Sequence, residues 1–224
     1  MKKIAIIVAG GSGTRMGAEV PKQFLLLQGK PLLWHTMRAF LRAYDDLQIV
    51  LVLPEAHLQQ GQEIAHTLHA SDRVQLVTGG ETRFHSVKNG LQKVKEAAVV
   101  FVHDGVRCMI SETLIRKCYE QAIEKGSAIP AVTATDSIRI TNGDEHTAAN
   151  RDNIRIIQTP QTFLSHILLP AFEQAYTPAF TDEATVVEHN KQKVYLIDGE
   201  YDNIKITRPV DLIIAEKILE GRNH

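Results

Sequence analysis

Gly10-Gly11-Ser12-Gly13-Thr14-Arg15 and, slightly further on, Pro21-Lys22-Gln23 put three glycines and two cations directly behind the apolar run Ile4–Ala9. Glycine has no Cβ, so a ligand can come close to the main chain. Successive free N–H groups in such a loop make a nest for an anion. Arg15 and Lys22 add two full positive charges, and the whole points to phosphate handling on a nucleotide. Other glycine motifs fit less well. A P-loop needs Gly-x-x-x-x-Gly-Lys-Ser/Thr, and no lysine is placed that way. From Gly11, the dinucleotide spacing reaches Gly13 and then Met16, with Gly17 one place late. The acidic residue expected about 20 positions later is also missing, because the next strand-like run ends far downstream at Pro54-Glu55.

Four further clusters carry chemistry. In Gly79-Gly80-Glu81-Thr82-Arg83-Phe84-His85-Ser86, the glycine pair lets main chain meet a flat base, and Ser86 can bond base or sugar. The alternative is a helix start with a solvated Arg83. His103-Asp104-Gly105-Val106-Arg107 follows the apolar run Val99–Val102. A carboxylate at the mouth of a buried strand suits Mg²⁺, which takes oxygen ligands and substrate phosphates. Arg107 can grip a phosphate with two parallel hydrogen bonds, or can pair with Asp104 to stiffen the loop. Thr181-Asp182 can cap a helix, and Thr181 can also meet a ligand. In Asp202–Pro209, Lys205 and Thr207 alternate with apolar residues and so share one face of an expected strand. Arg15, Lys22, Arg107 and Lys205 thus gather at expected strand exits in a chain of net charge −1. His66 and His69 lack a metal-binding context and belong to a surface face, and no Gly-x-Ser-x-Gly elbow is present.

These residues need a scaffold, and the hydrophobic periodicity supplies one. Strands are expected at 4–9, 47–53, 74–78, 99–102, 128–134, 154–158 and 193–197. Helices are expected at 31–43, 57–69, 83–95, 111–125, 165–175, 182–189 and 209–220. Pro31 and Pro209 suit a first helical turn, and Ser111 suits an N-cap. The alternation predicts an α/β fold with a mostly parallel sheet covered on both faces. Ligands in such sheets sit beyond the carboxyl ends of strands. One stretch breaks the rhythm: Thr135–Thr141 alternates with period two and Asn142-Gly143-Asp144 is a hairpin turn. Residues 134–154 therefore predict a projecting β-arm, marginal alone and naturally supported by a partner subunit, with an ordinary surface hairpin as the other reading.

Composition narrows the classes. The 224 residues are 44% hydrophobic and 23% charged, ordinary for a globular protein. The near-zero net charge gives no basis for a nucleic-acid or membrane partner. Cys108 and Cys118 have no metal-type spacing, which fits a reducing compartment. The first apolar run stops at Gly10-Gly11, short of a signal peptide's core, and no run nears the roughly 18 residues of a membrane span. A cytoplasmic enzyme is the expectation.

In order along the chain stand Ala9–Met16, Pro21-Lys22-Gln23, Gly79–Arg83, His103–Arg107, Thr159-Pro160-Gln161, Thr181-Asp182-Glu183 and Asp202–Thr207. Together they resemble the 2-C-methyl-D-erythritol 4-phosphate cytidylyltransferase family of non-mevalonate isoprenoid biosynthesis, over almost the whole chain. The glycine loop alone is common to many nucleotidyltransferases; the combined set is what carries the resemblance. It implies one Rossmann-like nucleotidyltransferase domain over 1–224, with the arm joining two copies as a homodimer. It implies CTP as co-substrate, with Arg15 and Lys22 around the triphosphate and Asp104 near Mg²⁺. Ala9, Gly10, Gly80, Glu81 and Ser86 would form the cytidine pocket, with Gly11, Gly13 and Arg83 also on the nucleotide side. Methylerythritol phosphate would be held by Arg107, Thr181, Asp202 and Lys205, with Thr159 and Thr207 beside them. Arg151 and Ser137 would act from the neighbouring subunit's arm. The catalytic set is then Arg15, Lys22, Lys205 and Arg151.

Three positions depart from the family pattern: Gly10 stands where alanine is common, Cys108 where proline is usual, and Ser137 where threonine is usual. None removes a charged participant. A ribitol-5-phosphate cytidylyltransferase, a sugar-1-phosphate nucleotidyltransferase and a non-catalytic nucleotide-binding dimer remain as other readings of the residues.

Overall fold

The computed structural model describes residues 1–11 and 20–222. Its centre is β1 (Lys2–Val8), flanked in parallel by β4 (Gln48–Leu53) and β6 (Ala98–Asp104), with β5 (Val74–Thr78) parallel outside β4. A small hairpin, β2 (Leu26–Leu27) and β3 (Lys30–Pro31), lies apart from this sheet. Beyond β6, β11 (Gln161–Leu164) runs antiparallel and pairs on its other side with β7 (Ser127–Thr133). β10 (Arg155–Ile157) pairs antiparallel and β12 (Leu196–Asp198) parallel with β7, completing the eight-stranded sheet.

Side chains alternate across the sheet with the strand period of two. Ala5 and Ile7 of β1, with Ile49, Leu51, Val99 and Phe101, face one core. That core is closed by α1 (Leu32–Ala43), α2 (Leu58–Thr67) and α4 (Glu112–Lys125). Ile4 and Ile6, with Val50, Val52, Val100 and Val102, face a second core. There they meet α3 (Arg83–Leu91), α5 (Ser165–Ala171) and α6 (Glu183–His189). A third cluster places Leu27, Leu32, Cys108, Met109 and Ile206 against Ala215 of α7 (Pro209–Arg222).

Helix boundaries follow their caps. Ser111 accepts from Leu114 N–H at 2.9 Å at the start of α4, and Gly126, at φ +89°, ends that helix in the left-handed conformation. Asp182 and Thr185 form a reciprocal capping box at α6.

The expected alternation of strands and helices holds, with corrections. β11 has no counterpart among the expected strands, because Gln161 and Thr162 are polar although both are fully buried. The Gln161 side chain is satisfied elsewhere in the fold: it donates to Asp182 Oδ2 at 2.9 Å and accepts from Ala184 N–H at 2.8 Å. The helix expected at 165–175 stops at Ala171, and the strand expected at 193–197 forms at Leu196–Asp198. Residues 203–207 form no strand, so Lys205 and Thr207 do not share a strand face. Thr207 instead turns to α7, where its N–H and hydroxyl both donate to Asp211 Oδ2. The hairpin expected in the arm is present as β8 (Ile138–Asn142) and β9 (Glu145–Ala149), paired only with each other and leaving Ile140 62% exposed.

Candidate functional site

Register brings the chemistry together. Val8 of β1 lies opposite Asp104 of β6 and Val52 of β4. The glycine loop and the aspartate therefore leave the sheet side by side. Main-chain bonds lace these exits: Ala9 N–H donates to Val52 O, Gly105 N–H to Val8 O and Gly79 N–H to Leu53 O, each at 2.8–2.9 Å. The space above them is a cavity of about 300 Å³. Ala9, Gly10, Gly11 and Lys22 form one wall, and Gly80, Glu81, Arg83 and Ser86 another. Asp104 and Lys205 also face into it.

Two glycines show what the space is for. A Cβ on Gly10 would meet no described atom within 4 Å, so an alanine there would fit as well. A Cβ on Gly80 would come within 2.5 Å of His85 Cβ, so that turn closes only on glycine. Ser86 Oγ accepts from Gly80 N–H at 3.0 Å, holding the turn against the first turn of α3. Lys22 crosses the glycine loop, since a Cβ on Gly11 would lie 3.6 Å from its Cε.

Asp104 is the electrostatic centre. Its carboxylate is held by Lys205 Nζ at 2.9 Å, Arg83 Nε at 3.3 Å and Arg107 Nε at 3.6 Å. Burial disfavours its charge, but Arg83, Lys205 and Arg107 outweigh burial and hold its pKa well below the usual carboxylate range. Arg83 also forms a two-pronged pair with Glu183: Nη1 meets Oε1, and Nη2 meets Oε2 at 3.0 Å. Burial raises the Glu183 pKa, and Arg83 acts against that rise. His103, fully buried, is pushed down to about 4 by desolvation, so the imidazole is neutral near pH 7.

The sequence-based site residues do not all come together. Ala9, Gly10, Gly11, Lys22, Gly80, Glu81, Arg83, Ser86, Asp104 and Lys205 come together on the cavity. Arg107 stands behind Asp104 and donates to Asn203 O at 2.8 Å, while Thr159 is buried with its hydroxyl used internally. Thr207 caps α7, and Asp202 lies on a neighbouring groove, 3.6 Å from Arg222. Thr181 and Ser137 are exposed, and exposed Arg151 donates to Thr135 O at 3.0 Å at the base of the arm. Gly13 and Arg15 lie outside the described residues. Glu183 and Gln161 were assigned no role from sequence, since both act through partners far along the chain.

Mg²⁺ commonly binds through one or two carboxylates plus substrate phosphates. Asp104 offers one carboxylate on the cavity wall, which fits such a site once a triphosphate supplies the other oxygens. Among the described residues no group of three His, Cys, Asp or Glu could hold a metal by itself. No helix among them is long and apolar enough to cross a membrane.

Comparison with known proteins agrees with this geometry. The family model for IspD, 2-C-methyl-D-erythritol 4-phosphate cytidylyltransferase, matches residues 3–221. The enzyme of that name from Bacteroides fragilis is 44% identical over 220 residues, covering 98% of this chain and all of the relative. That of Bacteroides thetaiotaomicron is 45% identical, with the same coverage. Among solved structures, 4-diphosphocytidyl-2C-methyl-D-erythritol synthase from Anaerococcus prevotii superposes with a TM-score of 0.84 at 30% identity, covering 98% of this chain and 96% of that one. The cytidylyltransferase of Francisella tularensis gives 0.82 at 30% identity, covering 97% of this chain and all of that one.

Proposed function

The chain belongs to the 2-C-methyl-D-erythritol 4-phosphate cytidylyltransferase family, and on that premise we propose how its own residues carry the reaction. The reaction transfers a cytidylyl group from CTP to 2-C-methyl-D-erythritol 4-phosphate in isoprenoid precursor biosynthesis. A phosphate oxygen of the acceptor attacks the α-phosphorus of CTP; the new P–O bond forms as the bond to pyrophosphate breaks. Both reactants are anions, so catalysis consists of bringing like charges together and stabilising the charge that develops between them.

The cavity wall of Gly10, Gly11, Gly80, Glu81 and Ser86 holds the nucleotide, and Lys22, with Arg15, stabilises the reacting phosphate. Asp104 would hold a divalent cation, which would supply charge neutralisation to the triphosphate when bound. The same Oδ2 now engages Lys205 and Arg107, so their cationic groups are stored beside the place where the acceptor phosphate is needed. Arg107 and Lys205 hold that phosphate, and Arg151 with Ser137 reaches it from the arm of a second copy. A homodimer fits the unsupported β8–β9 hairpin, and a cytoplasmic location fits the sequence.

The observation carrying this reading is the cluster of Arg83, Arg107 and Lys205 on one buried carboxylate that opens into a glycine-walled cavity. The test is incubation with Mg²⁺, CTP and either methylerythritol phosphate or ribitol 5-phosphate, followed by phosphorus NMR. A CDP-linked product and pyrophosphate with methylerythritol phosphate are expected. Product only with ribitol phosphate, or CTP binding without turnover, would overturn it.

A further inference from the structure

His103 is fully buried on β6, its ring 5.1 Å from that of Phe40. Its Nε2 lies 3.1 Å from the carbonyl oxygen of Arg107, and its Nδ1 lies 3.0 Å from Thr159 Oγ1. A carbonyl can only accept, so Nε2 carries the proton and Nδ1 accepts from the threonine hydroxyl. The bonding then continues around a closed ring. Arg107 Nη1 donates to Asn203 O at 2.8 Å, and Asn203 Nδ2 donates to Thr159 O at 2.8 Å. His103, Arg107, Asn203 and Thr159 are joined head to tail, each donating to the next.

The ring also sets Asp104, whose N–H donates to Thr159 Oγ1 at 3.1 Å. It joins three segments that are distant in sequence: the exit of β6, the approach to β11 and the stretch carrying Lys205. Within it the run Asp104 N–H, Thr159 hydroxyl, His103 ring and Arg107 carbonyl is continuous from donor to acceptor, an arrangement in which successive bonds polarise one another. Its output is orientation, because the bonded atoms include the guanidinium and carbonyl of Arg107 and the amide of Asp104.

We infer that His103 is a positioning residue for the acceptor side of the reaction, acting through Arg107 and Thr159 to aim the Arg107 guanidinium. This rests on the reading that Arg107 holds the acceptor phosphate. A role confined to core packing would be met by any residue of similar shape. A positioning role depends on which ring nitrogen is replaced.

The test uses two amide variants of the full chain. In His103→Gln the amide nitrogen reaches the place of Nε2 and keeps the donor to Arg107 O. In His103→Asn the amide reaches only the place of Nδ1, and that donor is lost. His103→Asn is expected to raise KM for methylerythritol phosphate roughly tenfold, the equivalent of one hydrogen bond, with KM for CTP within about twofold. His103→Gln should recover most of that loss. Nitrogen-15 NMR of the wild-type protein should show His103 as the Nε2–H tautomer, a readout that requires no variant to fold. An Nδ1–H tautomer, equal effects of the two variants, or equal shifts in both KM values would overturn the proposal. Arg107→Ala run in parallel separates the two levels. If it raises the acceptor KM while His103→Asn does not, this proposal alone falls; if Arg107→Ala leaves that KM unchanged, the reading of Arg107 falls and takes the proposal with it.

Discussion

Arg83 and Glu183, one hundred positions apart, meet as a two-pronged ion pair that ties the first turn of α3 to the first turn of α6. Arg83 then reaches on to Asp104, so the pair forms the outer support of the central carboxylate. The Glu183 side chain is only 1% exposed, whereas that of Arg83 keeps 29% of its exposure. Removing one partner of a buried pair leaves the other charge uncompensated. Glu183→Ala should therefore destabilise the fold by about 3 kcal/mol, the low end for buried pairs because Arg83 is partly solvated. Urea unfolding followed by circular dichroism measures this, and a loss below about 1 kcal/mol would contradict the support role.

Lys22 lines the cavity beside Gly11, and in the proposed reaction it stabilises the charge on the reacting phosphate. Lys22→Ala should lower turnover by roughly 10²–10³-fold, the range seen when a preorganised stabilising group is lost. The far-ultraviolet circular dichroism spectrum should be unchanged. Near-normal turnover in that folded variant would remove the role.

Acid stability should carry the mark of His103. Burial lowers its pKa from 6.5 to about 4 in the folded chain, so the unfolded chain takes up the proton first. The stabilisation is complete above pH 6.5, is lost as pH falls from 6.5 towards 4, and changes no further below that. His35, lowered mainly by burial, contributes with the same sign, while Glu183, raised by burial, opposes it. Both remain in His103→Gln, so the comparison isolates one group. Melting temperatures taken between pH 7 and pH 4 should fall more steeply for the wild type than for His103→Gln. Parallel curves would refute this assignment.

Arg151 sits at the base of the arm and away from the cavity of its own chain, so its action in a second subunit can be tested by mixing. Arg151→Ala and Lys22→Ala, each nearly inactive alone, should regain activity when co-refolded. Random pairing makes half the dimers mixed, each with one intact site, so recovery should approach about a quarter of wild type. No recovery, despite mixed dimers seen by native mass spectrometry, would place Arg151 in its own subunit's site or in none.

Strand exits were the legible part of this chain. Val8, Asp104 and Thr78 end parallel strands, and parallel register carries such ends to one edge of the sheet whatever the connections between them. The cavity residues at these exits, Ala9, Gly10, Gly80, Glu81 and Asp104, could therefore be grouped from sequence. β11 could not, because its polar residues become acceptable only through caps supplied by α6. Glu183 was hidden for the same reason: next to Asp182 it reads as one more acidic residue in a helix's first turn. His103 left a trace that was passed over, an imidazole within a run of otherwise apolar buried strand positions. Thr207 shows the opposite failure, where regular alternation imitated a strand in a segment that α7 anchors.

Cys108 packs with Met109 and Ile206 against Ala215 of α7. Its thiol is free, 4% exposed, and pushed up by burial to about 12. A thiol so buried reacts slowly, so its alkylation rate works as a gauge of how often this corner of the fold, α7 included, opens. Ile206 lies under the same helix and is joined to Lys205 by one peptide bond. The labelling rate therefore also reports on the packing that anchors the chain beside Lys205.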